Sequence, residues 1–91
     1  MTNYRKKSAK GEAMQYTKTN GGEIERWAGG YGGPVQRVIV QGGEFLRVYT
    51  RDGEVMATVG DWILKEVITE FSSCKPHVFR EGYEIVEKVD G

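Results

Sequence analysis

Three turn signals, Gly42-Gly43, Asp52-Gly53 and Gly60-Asp61, cut the stretch from Val35 to Ile68 into four short runs. That punctuation constrains the chain more than any other feature. Short runs that alternate apolar and polar residues between turn residues make half-buried strands. Val35–Gln41 is the first run. Phe45–Arg51 is the second, with Leu46 and Val48 opposite Phe45, Arg47 and Tyr49. Asp52-Gly53 predicts a type I′ hairpin, which needs positive φ at both residues. Val55, Ala57 and Val59 then alternate inward. In the last run, Trp62, Leu64 and Ile68 share one face and Ile63, Lys65 and Val67 the other. Both faces are largely apolar, which predicts a central strand.

The flanks add a helix at each end of this β-rich stretch. Glu12–Lys18 alternates as a strand. Asn20-Gly21-Gly22-Glu23 has capping-box spacing, and Ile24, Trp27 and Ala28 fall on one helical face. Gly29 follows where a left-handed C-cap belongs. The spacing predicts a helix over 21–28, too short to stand alone and so docked through Ile24 and Trp27. Beyond the central strand, Glu70–Cys74 reads as a short strand. Pro76 opens a helical turn that buries Val78 and Phe79 and stops at Gly82. Tyr83, Ile85 and Val89 alternate in a final strand. The order β-α-β-β-β-β-β-α-β predicts an α+β fold. It is mostly antiparallel, a strongly curved sheet or small barrel with one short docked helix and a second helical turn near the C-terminus.

At 91 residues the chain is one domain over 1–91. Its basic and acidic residues balance at 13 each, against the basic excess of a dedicated nucleic-acid coat. The balance is uneven along the chain. Residues 1–18 carry a net +4 and the remainder −4, so residues 1–10 read as a flexible basic arm on an acidic body. Cys74 is the only cysteine, so an internal disulfide is excluded, in keeping with a reducing cytoplasm. No apolar run approaches the ~18 residues of a membrane span, and no apolar segment follows the N-terminal charges as in a secretory signal.

A set of separated motifs carries a family resemblance. Tyr4-Arg5-Lys6-Lys7, Glu12-Ala13-Met14-Gln15-Tyr16-Thr17, Gly60-Asp61-Trp62-Ile63-Leu64-Lys65, Glu70-Phe71, Cys74-Lys75-Pro76 and Phe79 with Tyr83 follow in one order. The chain resembles a group of small bacteriophage and prophage proteins that open on a Tyr-Arg-Lys-Lys-Pro run. They close on Gly-Asp-Trp-Ile-Ile-Lys and Gly-Glu-Phe-Tyr-Pro-Cys-Lys-Pro-Asp segments. The resemblance spans nearly the whole chain around a variable middle from about Gly29 to Thr58. Ser8, Ser72-Ser73 and His77 stand where the group has proline, tyrosine-proline and aspartate. The resemblance implies a phage origin and the host cytoplasm; it implies no activity.

Cys74 and His77 are the one nucleophile–base pair by residue type, and they match no protease signature. A cysteine just before a helix N-terminus can have a lowered pKa, but the reading here is an inert cysteine, a solvated histidine and no enzyme. Two soft ligands are too few for structural zinc, so neither a metal nor another cofactor is expected. The glycine pairs read as turns, Gly21-Gly22 included, although a helix N-terminus can cradle phosphate. Trp27, Tyr31, Tyr49 and Trp62, interspersed with Arg37, Arg47, Lys65 and Lys75, supply what a nucleotide pocket needs: π faces and cations.

The sequence reading is therefore a non-enzymatic phage accessory protein. In it, a small homo-oligomer sequesters a host nucleotide-like defence signal, with Arg5, Lys6, Lys65 and Lys75 on phosphates and Trp62 or Tyr31 stacking. Two alternatives stay open. One is a protein–protein inhibitor of a host enzyme, acting through the Asp52-Gly53 hairpin or the Gly-Tyr-Gly loop at 30–32. The other is a weak single-stranded nucleic-acid binder using the basic arm.

Overall fold

The computed structural model describes residues 2–6, 9–67 and 70–85. Eight strands and two helices follow along the chain: β1 (Thr2–Lys6), β2 (Ala9–Gln15), α1 (Gly21–Trp27), β3 (Val35–Val40), β4 (Gly43–Thr50), β5 (Gly53–Ala57), β6 (Trp62–Val67), β7 (Glu70–Cys74), α2 (Pro76–Gly82) and β8 (Tyr83–Ile85). Every described strand pair is antiparallel. The strands form two sheets, a five-stranded one ordered β7-β6-β2-β1-β8 and a three-stranded meander β3-β4-β5. Neither closes, so the small barrel expected from the sequence is replaced by an open pair of sheets.

The N-terminus differs from expectation too. Residues 2–6 are a strand paired with β2 from Thr2↔Ala13 to Lys6↔Ala9, where a loose arm was expected. β2 accordingly begins at Ala9 and ends at Gln15, earlier than the alternation at 12–18 indicates. Val89 and Ile68 of the expected strands lie outside the described residues.

β6 is central, between β2 and β7, and its two faces feed two cores. Ile63 joins Met14, Tyr16, Ile24, Ala28, Val35, Leu46, Val48, Ala57 and Phe71 in the larger cluster. Leu64 joins Ala13 and Phe79, with Trp62 and Cys74 packed against them. The meander and α1 therefore cover one face of the large sheet, and α2 covers the other. Each fully buried leucine, isoleucine or valine contributes roughly 1.5–3 kcal/mol.

Local chemistry explains the helix ends. Asn20 makes no side-chain cap. Its Oδ1 accepts the Thr17 N–H at 2.8 Å and its Nδ2 donates to the Gln15 carbonyl at 2.8 Å. The side chain thus knits the β2–α1 turn and is lost to the helix. At the other end, Gly30 N–H reaches the Glu25 carbonyl at 2.8 Å and Gly29 N–H the Arg26 carbonyl at 3.1 Å. With Gly29 at φ 114°, this is a Schellman motif. α2 starts on Pro76 and buries Phe79 but leaves Val78 exposed.

Two β-turn expectations are corrected. Among the described residues only glycines have positive φ, so the β4–β5 turn is not type I′; Gly53 alone takes it, at 125°. The Thr50 hydroxyl braces that turn, accepting the Asp52 N–H at 3.2 Å and donating to the Gly53 carbonyl at 2.6 Å. Val55 and Val59 are 41 % and 51 % exposed. β5 is an edge strand and Val59 sits in the turn after it, so only Ala57 of the three reaches the core.

Candidate functional site

An open groove of about 690 Å³ runs where the loop after α1 meets β3 and β4. That volume is within the range of small-molecule sites. Its walls include Tyr31, Tyr49, Arg37, Arg47, Gln36 and Val38. The meander's register places Gln36 opposite Arg47 and Val38 opposite Phe45, and side chains alternate between faces along each strand. Arg47 and Tyr49 therefore project from the face turned away from the core. Arg37 lies opposite buried Leu46, so its side chain projects from the inner face, beside Gly21 and Glu44, and only its place on β3 borders the groove.

Both arginines hold a carboxylate already. Arg37 Nη1 is 3.7 Å from Glu44 Oε1, and Arg47 Nε is 3.2 Å from Glu54 Oε2. These side chains are partly exposed, and exposed pairs of this kind are worth only ~0–1 kcal/mol. An incoming anion can exchange with Glu54 on Arg47 at little cost.

A buried polar cluster stands beside Arg37 on the inner face. Tyr16 is fully buried and its hydroxyl donates to Glu44 Oε2 at 2.7 Å. Burial, then the hydrogen bond and charge of Glu44, push the Tyr16 phenol above its ordinary range. Gly21 packs against this cluster: a Cβ there would lie 2.5 Å from Glu44 Oε2. Gly21 is thus a close-packing site, Gly22 is not, and a carboxylate already stands against the first residue of α1.

The loop bearing Tyr31 is built by specific bonds. Gly33 N–H donates to the Gly30 carbonyl at 2.9 Å, and Gly32 has φ 87°, which makes residues 30–33 a type II turn with Tyr31 and Gly32 at its centre. Gln36 Nε2 donates to both the Gly30 and Gly33 carbonyls, at 3.1 and 2.9 Å. Tyr31 stands at the tip, 97 % exposed.

The other residues nominated from sequence do not converge on this groove. Trp62 stacks on Phe79, with centroids 4.1 Å apart and planes 8° from parallel, so one face of the indole is covered by α2 and the ring is not a bare rim. Lys65 lies 3.8 Å from Glu12 and 5.8 Å from the centroid of Trp27, on the opposite face of β6. Lys75 pairs with Asp61 at 3.1 Å. Asp61 is 4 % exposed and also accepts the Thr58 N–H at 3.0 Å, so its role is to cap the Gly60 turn. Arg5 and Lys6 fall on β1, and their side chains lie outside what the structure describes. Of the nominated set, Tyr31 alone lines the groove; Tyr49, Arg37 and Arg47 were legible as aromatic and cationic strand residues.

Cys74 is half-buried. Burial, then the Asp61 charge, raise its thiol above the ordinary value, the reverse of what a nucleophile needs. His77 is exposed on α2. A second depression, of about 400 Å³, lies between Ile39, Val59, Lys18 and Glu44. No described helix is long and apolar enough to cross a membrane. No protein-family model, no curated protein and no solved structure matches the chain.

Proposed function

We propose that this chain is a non-enzymatic binder of a nucleotide-like anion, held in the groove between the Tyr31 loop and the meander. One observation carries the reading: Tyr31 from the loop after α1 and Arg47 and Tyr49 from β4 line one open groove. Aromatic rings stack bases and guanidinium groups pair with phosphate oxygens, often bidentately. The raised thiol of Cys74 supports a binder over a cysteine enzyme. The resemblance to phage proteins supports a host defence signal as the target, met in the host cytoplasm and captured by an oligomer.

The test is calorimetry of the purified protein with AMP, GMP, pApA and pGpG. At least one should bind with an affinity that falls as salt rises, and Arg47→Ala should weaken it at least tenfold. Absence of binding by all four sinks the reading.

A second reading, contact with a host protein, is favoured by the outward-facing apolar residues of the meander. Val40, Tyr49 and Met56 are 47 %, 45 % and 60 % exposed, more apolar surface than one solvated sheet face needs. Native mass spectrometry separates the two, since it reports a retained small molecule and the subunit count together.

A further inference from the structure

We infer that Tyr31 is a preorganised stacking arm of the groove, and that Gln36 is the positioning residue that holds it there. This rests on the binding reading above and deepens it by naming the ligand's planar ring as the part recognised.

The argument begins with where the hydrogen bonds go. The carbonyls of Gly30 and Gly33 are part-buried and need a donor. One side chain from β3, Gln36, donates to both, at 3.1 and 2.9 Å. The Gly30 carbonyl also takes the Gly33 N–H at 2.9 Å. Upstream, the Schellman bonds tie Gly29 and Gly30 to α1. Downstream, the Pro34 carbonyl accepts the Tyr49 N–H at 2.8 Å. A glycine-rich loop with high chain entropy is thus fixed at both ends and in its middle. The residue this order presents is Tyr31, 97 % exposed.

An apolar ring held in water gains nothing for the fold. It gains for binding, because a loop whose backbone is fixed beforehand loses little freedom when a partner stacks on the ring it carries. Tyrosine suits this, with a large rigid face and few rotatable bonds. Tyr31 and Tyr49 line the same groove as Arg47, so a base stacked on Tyr31 has a guanidinium in the same groove for its phosphate. Gln36 is itself a groove wall, which puts the staple and the ring in one unit.

The experiment measures Kd by calorimetry, using the tightest binder among AMP, GMP, pApA and pGpG. The proteins are wild type, Tyr31→Ala, Tyr31→Phe, Gln36→Leu and the Tyr31→Ala/Gln36→Leu double variant. Tyr31→Ala removes one stacked face and should weaken binding about 5- to 150-fold, while Tyr31→Phe stays within about twofold. Gln36→Leu made in wild type should reproduce part of the Tyr31→Ala loss, and it should add less than about twofold in the Tyr31→Ala background. Gln36→Met, which keeps the length without a charge or a donor, should behave as Gln36→Leu does and stands in if that variant does not fold. If Gln36→Leu weakens binding equally in both backgrounds, Gln36 acts on the arginines or the fold and the positioning role is overturned. Tyr31→Ala within twofold of wild type, with Arg47→Ala still weak, overturns the stacking arm and leaves the groove reading standing. A wild type that binds none of the four probes overturns both.

Discussion

Gly21→Ala tests the packing around the buried Tyr16–Glu44 pair. Helix propensity alone favours the substitution, because glycine costs roughly 0.5–1 kcal/mol relative to alanine inside a helix. The surroundings oppose it. The added Cβ would stand 2.5 Å from Glu44 Oε2, 3.0 Å from Arg37 Cδ and 3.4 Å from the Tyr16 ring. The arginine is partly exposed and can give way. The carboxylate must move as well, and it holds the buried Tyr16 hydroxyl at 2.7 Å. A hydrogen bond to a charged group contributes roughly 1.5–3 kcal/mol. Losing it outweighs the propensity gain and leaves a net cost of roughly 1–2 kcal/mol. For a domain of this size each kcal/mol moves the melting point by roughly 4–8 °C. The assay is urea unfolding of four proteins: wild type, Gly21→Ala, Glu44→Ala and the double variant. In the Glu44→Ala background the main collision is gone, so Gly21→Ala should become neutral or stabilising by up to about 1 kcal/mol. An equal loss in both backgrounds, or a gain in wild type, refutes the reasoning.

The buried Tyr16 phenol keeps a proton that an unfolded tyrosine releases near pH ~10. Its contribution is fully present below that pH and declines as pH rises above it. Tyr16→Phe should flatten the alkaline fall of the urea midpoint, and an unchanged fall rules Tyr16 out as its source. Asp61→Ala strips the Thr58 N–H of its acceptor and should cost about 1–3 kcal/mol. Lys75→Met, from a side chain 57 % exposed, should cost under about 1 kcal/mol; equal losses in thermal melts would mean that the ion pair and not the backbone cap is what counts. Cys74 should react with iodoacetamide at neutral pH more slowly in the folded protein than in urea, since its raised pKa leaves less thiolate; matched rates contradict that.

Most elements were legible because local signals and tertiary demands agree. Pro76 and Gly82 bound α2 where their chemistry places them, and the two apolar faces of Trp62–Val67 announce a central strand. The failures are places where one group had two possible partners. Asn20 fits a capping box, yet its amide serves Thr17 and Gln15, and nothing in the local pattern ranks those choices. Thr2–Lys6 carries charge and little alternation, so its pairing with β2 is invisible until β2 offers an edge. Trp62, Lys65 and Lys75 were nominated by type alone. Position within a sheet, helix coverage and a nearby carboxylate decide whether an aromatic or a cation is available, and these are tertiary facts. Arg47 and Tyr49 meet Tyr31 only because the meander folds back beside the α1 loop.

β2 and β6 are neighbours in space, and everything between them leaves the large sheet and returns to the same point. Tyr16 N–H donates to the Asp61 carbonyl and Gly60 N–H to the Tyr16 carbonyl, both at 2.8 Å. Residues 17–60 thus form one excursion whose two ends are knotted at a single rung. In chain-entropy terms the knot has a useful property. Closing a loop costs more with length only logarithmically, roughly 0.6 kcal/mol for each doubling. Insertions or exchanges at the tips of this excursion therefore barely change the cost of bringing β2 and β6 together. The helix, the tyrosine loop and the meander ride on a scaffold that tolerates their rewriting, provided the residues facing the shared core are kept.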